Sequence, residues 1–145
     1  KKIMNRFILI FFYLILSCNI PKESIKKTNS SIIYMERTAC YGTCPIYKIE
    51  IFSDGNAIYT GKRFVKNLGI TKFQIPNNDL NQILSMADKI KFQEMKEKYY
   101  EPISDLPTTY IRIYNKNIQD YSGSPKKLKQ LENLIDNICK KAMNN

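Results

Sequence analysis

Histidine and tryptophan are absent from the 145 residues, and glycine occurs only five times. Without histidine there can be no Ser-His-Asp or Cys-His nucleophile, no histidine-based metal hydrolase and no histidine general base. Glycine-rich phosphate loops are missing too. Arginine is thin: of 23 basic residues only Arg6, Arg37, Arg63 and Arg112 are arginine, and the lysines are scattered. Nucleic-acid readers concentrate arginine and aromatic platforms, so dispersed lysine points to a solvated surface and to no nucleic-acid partner. A membrane-length apolar run is also lacking. The run from Phe7 to Leu16 has ten residues. At about 1.5 Å per residue it covers roughly half of a hydrocarbon core.

That short run carries the clearest information about where the protein goes. Arg6 precedes it and Ser17-Cys18 follow, the layout of a secretory signal over residues 1–17. Ile15-Leu16-Ser17-Cys18 resembles the lipobox of bacterial lipoproteins, with Ile and Leu where Leu and Ala or Ser are commonest. The resemblance implies cleavage before Cys18 and acylation of both its thiol and its new amino group. Two or more acyl chains give stable anchoring where one gives only marginal binding. The expected location is the cell envelope, lipid-anchored at the outer membrane of a Gram-negative bacterium, periplasmic or surface-exposed. Residues 18–31 are polar and aperiodic, a lipidated cysteine and flexible tether. Residues 32–145 are long enough for one domain with a real core. Losing Lys1, Lys2 and Arg6 lowers the formal charge from +10 to +7. Such a surface could attract anionic lipid or polysaccharide weakly.

Within the domain, Ser31 to Glu36 alternates as a first strand. Ile46 to Phe52 is a second, with Tyr47, Ile49 and Ile51 on one face and Lys48 and Glu50 on the other. Asp54-Gly55 predicts a tight hairpin turn. Ala57 to Thr60 and Gly69 to Ile75 follow as strands, ending at Pro76. Asn77 or Asn78 can cap a helix whose Leu80, Ile83, Leu84, Ala87 and Ile90 share one face. Phe92 to Tyr100 suggests a short helical turn. Thr108 to Tyr114 and Asn117 to Tyr121 predict a second hairpin across Asn115-Lys116. Ser124-Pro125 is a helix start, with Leu128, Leu131, Ile135, Ile138 and Ala142 on its apolar face. The order ββββαββα predicts an α+β fold: an antiparallel sheet of about six strands with two helices on one face.

Cys40-Tyr41-Gly42-Thr43-Cys44-Pro45 is the sharpest local feature. In an oxidising envelope the Cys40 and Cys44 thiols suit a disulfide, which closing so short a loop would make worth roughly 2 kcal/mol. A redox-active pair is the alternative, although the spacing exceeds Cys-X-X-Cys and Pro45 leads into a strand. No metal site or cofactor is expected, since the chain has neither histidine nor a second cysteine pair. Cys139, beside the apolar stripe of the last helix, reads as a buried, inert thiol. Asp105-Leu106-Pro107 reads as a turn in which Asp105 bonds nearby backbone N–H groups. The thirteen carboxylates show no pairing that singles one out for acid–base chemistry, and most read as solvated surface. The tyrosines could form an aromatic binding face, but they also suit half-buried strand positions.

The segment Arg37 to Tyr47, with its Cys-Tyr-Gly-Thr-Cys-Pro-Ile-Tyr run, resembles an uncharacterised family of small envelope lipoproteins. So do Asp54-Gly55, Tyr59 to Gly61, Asp105 to Thr108 and Pro125 to Leu128. The resemblance spans about Ile32 to Asn137 and implies one exported domain in which Tyr41, Gly42, Pro45, Asp105 and Pro107 matter, for folding or for function. The expected protein is a membrane-anchored lipoprotein with a non-catalytic binding or structural domain and an envelope protein or glycan as partner. The rival expectations are a thiol-active envelope protein using Cys40 and Cys44, and a glycan- or peptidoglycan-binding module.

Overall fold

A computed structural model describes residues 30–144. The expected signal segment, Cys18 and most of the tether lie outside the described residues. The elements are β1 (Ile33–Arg37), β2 (Ile46–Ile51), β3 (Asn56–Arg63), β4 (Gly69–Gln74), α1 (Asn77–Lys89), a 3-10 turn (Phe92–Glu94), β5 (Lys98–Tyr99), β6 (Thr109–Ile113), β7 (Lys116–Asp120) and α2 (Lys126–Met143). Seven strands form one sheet in the order β4-β3-β2-β1-β6-β7-β5, antiparallel except where β5 runs parallel to β7. The fold is the expected α+β arrangement with one short strand added.

Alternation along each strand divides the sheet into two faces. The inward face consists of cross-strand rows. Ala57, Ile51, Ile33 and Ile113 make one row, and Tyr59, Ile49, Met35, Ile111 and Ile118 make the next. Leu80, Ile83 and Ala87 of α1 and Leu128, Leu131, Ile135 and Ile138 of α2 close over them. Each such aliphatic side chain contributes about 1.5–3 kcal/mol when taken from water. The outward face carries Tyr34, Glu36, Lys48, Glu50 and Arg112 and is solvated. Its ion pairs, Lys48–Glu50 and Lys62–Glu36, span 2.8 and 2.7 Å.

Three local expectations need correcting. The second hairpin turns at Tyr114-Asn115, one residue earlier than predicted, because Ile113 pairs with Lys116. Tyr114 takes a left-handed φ of 53°, and its N–H donates to the Ile32 carbonyl at 2.8 Å. The N-caps are Pro76 and Pro125, with no side-chain cap bond at either helix. Ser124 instead donates its hydroxyl to Asp120 Oδ2 at 2.7 Å, since a buried carboxylate is a stronger acceptor demand than a helix end that water can reach. The Asp54-Gly55 turn forms as expected. Gly55 has φ 80°, and a Cβ there would come within 2.6 Å of the Ile75 carbonyl. Among the described residues, no helix is long and apolar enough to cross a membrane.

Candidate functional site

The third inward row breaks with the other two: it reads Gly61, Tyr47, Arg37, Thr109, Asp120. β1 therefore points Ile33, Met35 and Arg37 at the helices in turn. Facing this row, α2 carries Glu132 and Asp136, spaced i, i+4 so that they share a side, next to the buried Leu131 and Ile135. The result is a polar end to an otherwise aliphatic interior.

Arg37 organises it. Its Nε donates to the Tyr47 hydroxyl at 2.8 Å, Nη1 to Thr109 Oγ1 at 3.0 Å and Nη2 to Asp136 Oδ2 at 2.9 Å. The Tyr47 hydroxyl donates in turn to Asp136 Oδ1 at 2.5 Å, so Asp136 is held at both oxygens. Burial works against the Arg37 charge, but Asp136, with Tyr47 and Glu132, outweighs it and keeps the guanidinium charged. Burial, then Asp136, pushes the Tyr47 hydroxyl above its usual range, so it remains a donor.

Behind Arg37 lies a pair of carboxyl groups. Glu132 and Asp120 are both fully buried. Glu132 Oε2 is 3.5 Å from Arg37 and 3.6 Å from Lys129, while Lys129 approaches Asp120 Oδ2 at 2.8 Å. Asp120 Oδ1 and both Glu132 oxygens lack a hydrogen-bond partner if both groups are ionised. Burial raises the Glu132 carboxyl to about 7; Lys129 and Arg37 oppose the rise, and the neighbouring Asp120 adds to it. A proton on Glu132 turns two facing acceptors into a donor and an acceptor, which satisfies Asp120.

Arg37, Tyr47 and Asp136 form part of the lining of a cavity of about 620 Å³ between the sheet and the second half of α2. Tyr47 and Tyr59, stacked with centroids 5.4 Å apart, form one wall. The β3–β4 loop forms another through Phe64, Val65, Lys66 and Asn67. Gly61 lets that loop fold back, since a Cβ there would sit 1.9 Å from the Asn67 carbonyl. Phe64 adopts a left-handed φ of 54° beneath the Arg63 guanidinium, 4.6 Å from its ring. Bulky residues avoid that region, and such backbone concentrates at ligand sites. Asn133, Lys140 and Met143 close the α2 side.

The structure brings only some of the sequence-derived candidates to this cavity. Cys40 and Cys44 form the disulfide, with Cα atoms 5.7 Å apart. Cys44, Pro45 and Pro107 line the cavity. Tyr41 points away, 91% exposed. Gly42 is exposed too; a Cβ there would meet only Cys40 Sγ, at 3.9 Å, so neither space nor left-handed backbone requires glycine. Asp105 is exposed with φ 69°. The bonds tying its loop down come from elsewhere: Thr38 Oγ1 accepts the Thr108 N–H at 2.9 Å, and the Tyr121 hydroxyl donates to the Ile103 carbonyl. Cys139 is free and buried, and burial, then Asp136, raises its thiol to about 12, so it is inert as expected. Most carboxylates are expected at the surface; Asp120, Glu132 and Asp136 are buried exceptions that no local signal singles out. A signal was available in Arg37, which continues the inward alternation of Ile33 and Met35 and therefore requires buried acids opposite.

A family profile described as a domain of unknown function, DUF6438, matches residues 31–139. No curated protein and no solved structure matches the chain.

Proposed function

The chain belongs to the DUF6438 family, and for this member we propose a lipid-anchored envelope protein whose single domain binds a small ligand without transforming it. The observation that carries the binding part is the cavity of about 620 Å³, within the size range of small-molecule sites. Its lining supports binding over catalysis. Arg37 and Asp136 neutralise each other, and Glu132 and Asp120 are buried away from solvent, where no substrate reaches them. The anchor rests on the Phe7–Leu16 run and Cys18. The Cys40–Cys44 bridge suits the same oxidising compartment. Mass spectrometry of the protein purified from membranes is expected to find the chain beginning at an acylated Cys18; an unmodified Cys18 contradicts the anchor.

Cys44 on the cavity wall favours one second reading, thiol exchange with a client through the Cys40–Cys44 bridge. A bridge potential below about −300 mV, in the range of structural disulfides, would remove it.

A further inference from the structure

We propose that the cavity takes an amphipathic anion, its apolar body against Tyr59, Val65 and Met143 and its anionic head between Lys66 and Lys140. This deepens the binding role proposed above and rests on it. The direction of the ligand follows from where charge is left over. On the floor, Arg37 meets Asp136 at 2.9 Å and lies 3.5 Å from Glu132, so neither an incoming anion nor a cation finds an unmatched partner there. Among the described residues, Asp136 is the sole carboxylate in the lining.

The mouth is different. Lys66 and Lys140 both line the cavity, and neither has an ion-pair partner among the described residues. By contrast Lys141 reaches Asp79 at 3.8 Å and Lys129 reaches Asp120 at 2.8 Å. The unbalanced charge of the site is therefore positive and peripheral. Between mouth and floor the walls are mainly apolar, with Ile49 and Pro107 completing the surface made by Tyr59, Val65 and Met143. Apolar surface inside with ammonium groups at the rim complements a ligand that buries a chain or ring and leaves its charge outside. The left-handed Phe64 and the tight Gly61–Asn67 contact hold the Val65–Lys66 wall in place before any ligand arrives. Carboxylate and phosphate heads share the required chemistry.

The test uses the full chain carrying Cys18→Ser, which removes the acylation site, and isothermal titration below micellar concentrations. The probes are dodecanoate, dodecyl phosphate and dodecyltrimethylammonium. One anionic probe is expected to bind at a single site at least about tenfold more tightly than the cation, and the tighter of the two heads distinguishes a free fatty acid from a phosphate-bearing lipid. Lys66→Glu with Lys140→Glu is expected to weaken that binding about tenfold or more, and added salt to weaken it further. Val65→Trp, which fills the cavity from the half-buried loop wall, is expected to abolish it while the unfolding midpoint stays near that of the parent. If the cation binds as tightly as the anions and Val65→Trp still abolishes binding, the cavity is a site and the anionic preference is overturned. If no probe binds, or Val65→Trp leaves binding intact, the binding role of the cavity falls as well.

Discussion

Along β1 the inward positions run Ile33, Met35, Arg37, and the step from the second to the third separates two regions built from the same strands. At the Ile33 end, Ile51 and Ile113 flank it across the sheet and Leu128 and Leu131 are buried in the same core. At the Arg37 end, Tyr47 and Thr109 flank it and α2 supplies Glu132 and Asp136. The first region needs only volume and shape. The second needs every donor matched to an acceptor, because desolvating charges costs several kcal/mol per ion before any pairing is regained. Apolar residues could have filled both regions. One end is polar nonetheless, and its Arg37, Tyr47 and Asp136 line the cavity.

The two ends differ most at Arg37. Arg37→Met takes from the Asp136 carboxylate and the Tyr47 oxygen the N–H donor that each accepts from, in a buried setting. It is expected to cost about 3–5 kcal/mol in urea unfolding, the scale for an orphaned buried charge. A loss under about 1 kcal/mol, as for an exposed pair, would mean the network is solvated.

Next in size is the response to pH. The Glu132 carboxyl stands at about 7 in the folded chain against 4.5 unfolded, so the native state binds more protons between these values. Stability is therefore full below about pH 4.5 and declines as pH rises through about 7, by on the order of 3 kcal/mol if only this group titrates. Glu132→Gln keeps a donor for Asp120 and is expected to flatten this dependence, which unfolding curves at pH 5 and pH 8.5 would reveal. An unchanged slope would place the proton elsewhere.

The apolar end is expected to respond weakly. Ile111→Val removes one buried methylene, at about 1 kcal/mol and independently of pH. A pH-dependent loss there would mean that the two ends are not separate.

Most of the framework was legible in local pattern. Tyr47, Ile49 and Ile51 alternate, Leu128 to Ile138 recur at helical spacing, and Asp54-Gly55 marks its turn, because each signal lies within a few residues. What escaped depends on distant partners. Asp136 reads as surface until Arg37, 99 positions earlier, is placed opposite it. β5 is two residues long and exists because the Glu97 and Tyr99 carbonyls accept N–H groups from Gln119 and Tyr121 at 2.8 and 3.1 Å. Ser124 looks like a helix cap until Asp120, buried four residues before it, claims the hydroxyl. In the cysteine loop the bridge is expected from the compact spacing together with an oxidising compartment, whereas the positions of Pro45 and Pro107 on a shared cavity require the whole fold.

The polar end is expected to serve the cavity and not stability. The most direct measurement is urea unfolding of the chain carrying Arg37→Met, Tyr47→Phe, Glu132→Gln and Asp136→Leu together, which removes the Arg37–Asp136 network and leaves Asp120 paired with Lys129. The expected stability equals or exceeds that of the parent at pH 7, since replacing buried ion pairs with apolar residues is often neutral or favourable by about 1–4 kcal/mol. A loss as large as that of Arg37→Met alone would contradict the claim.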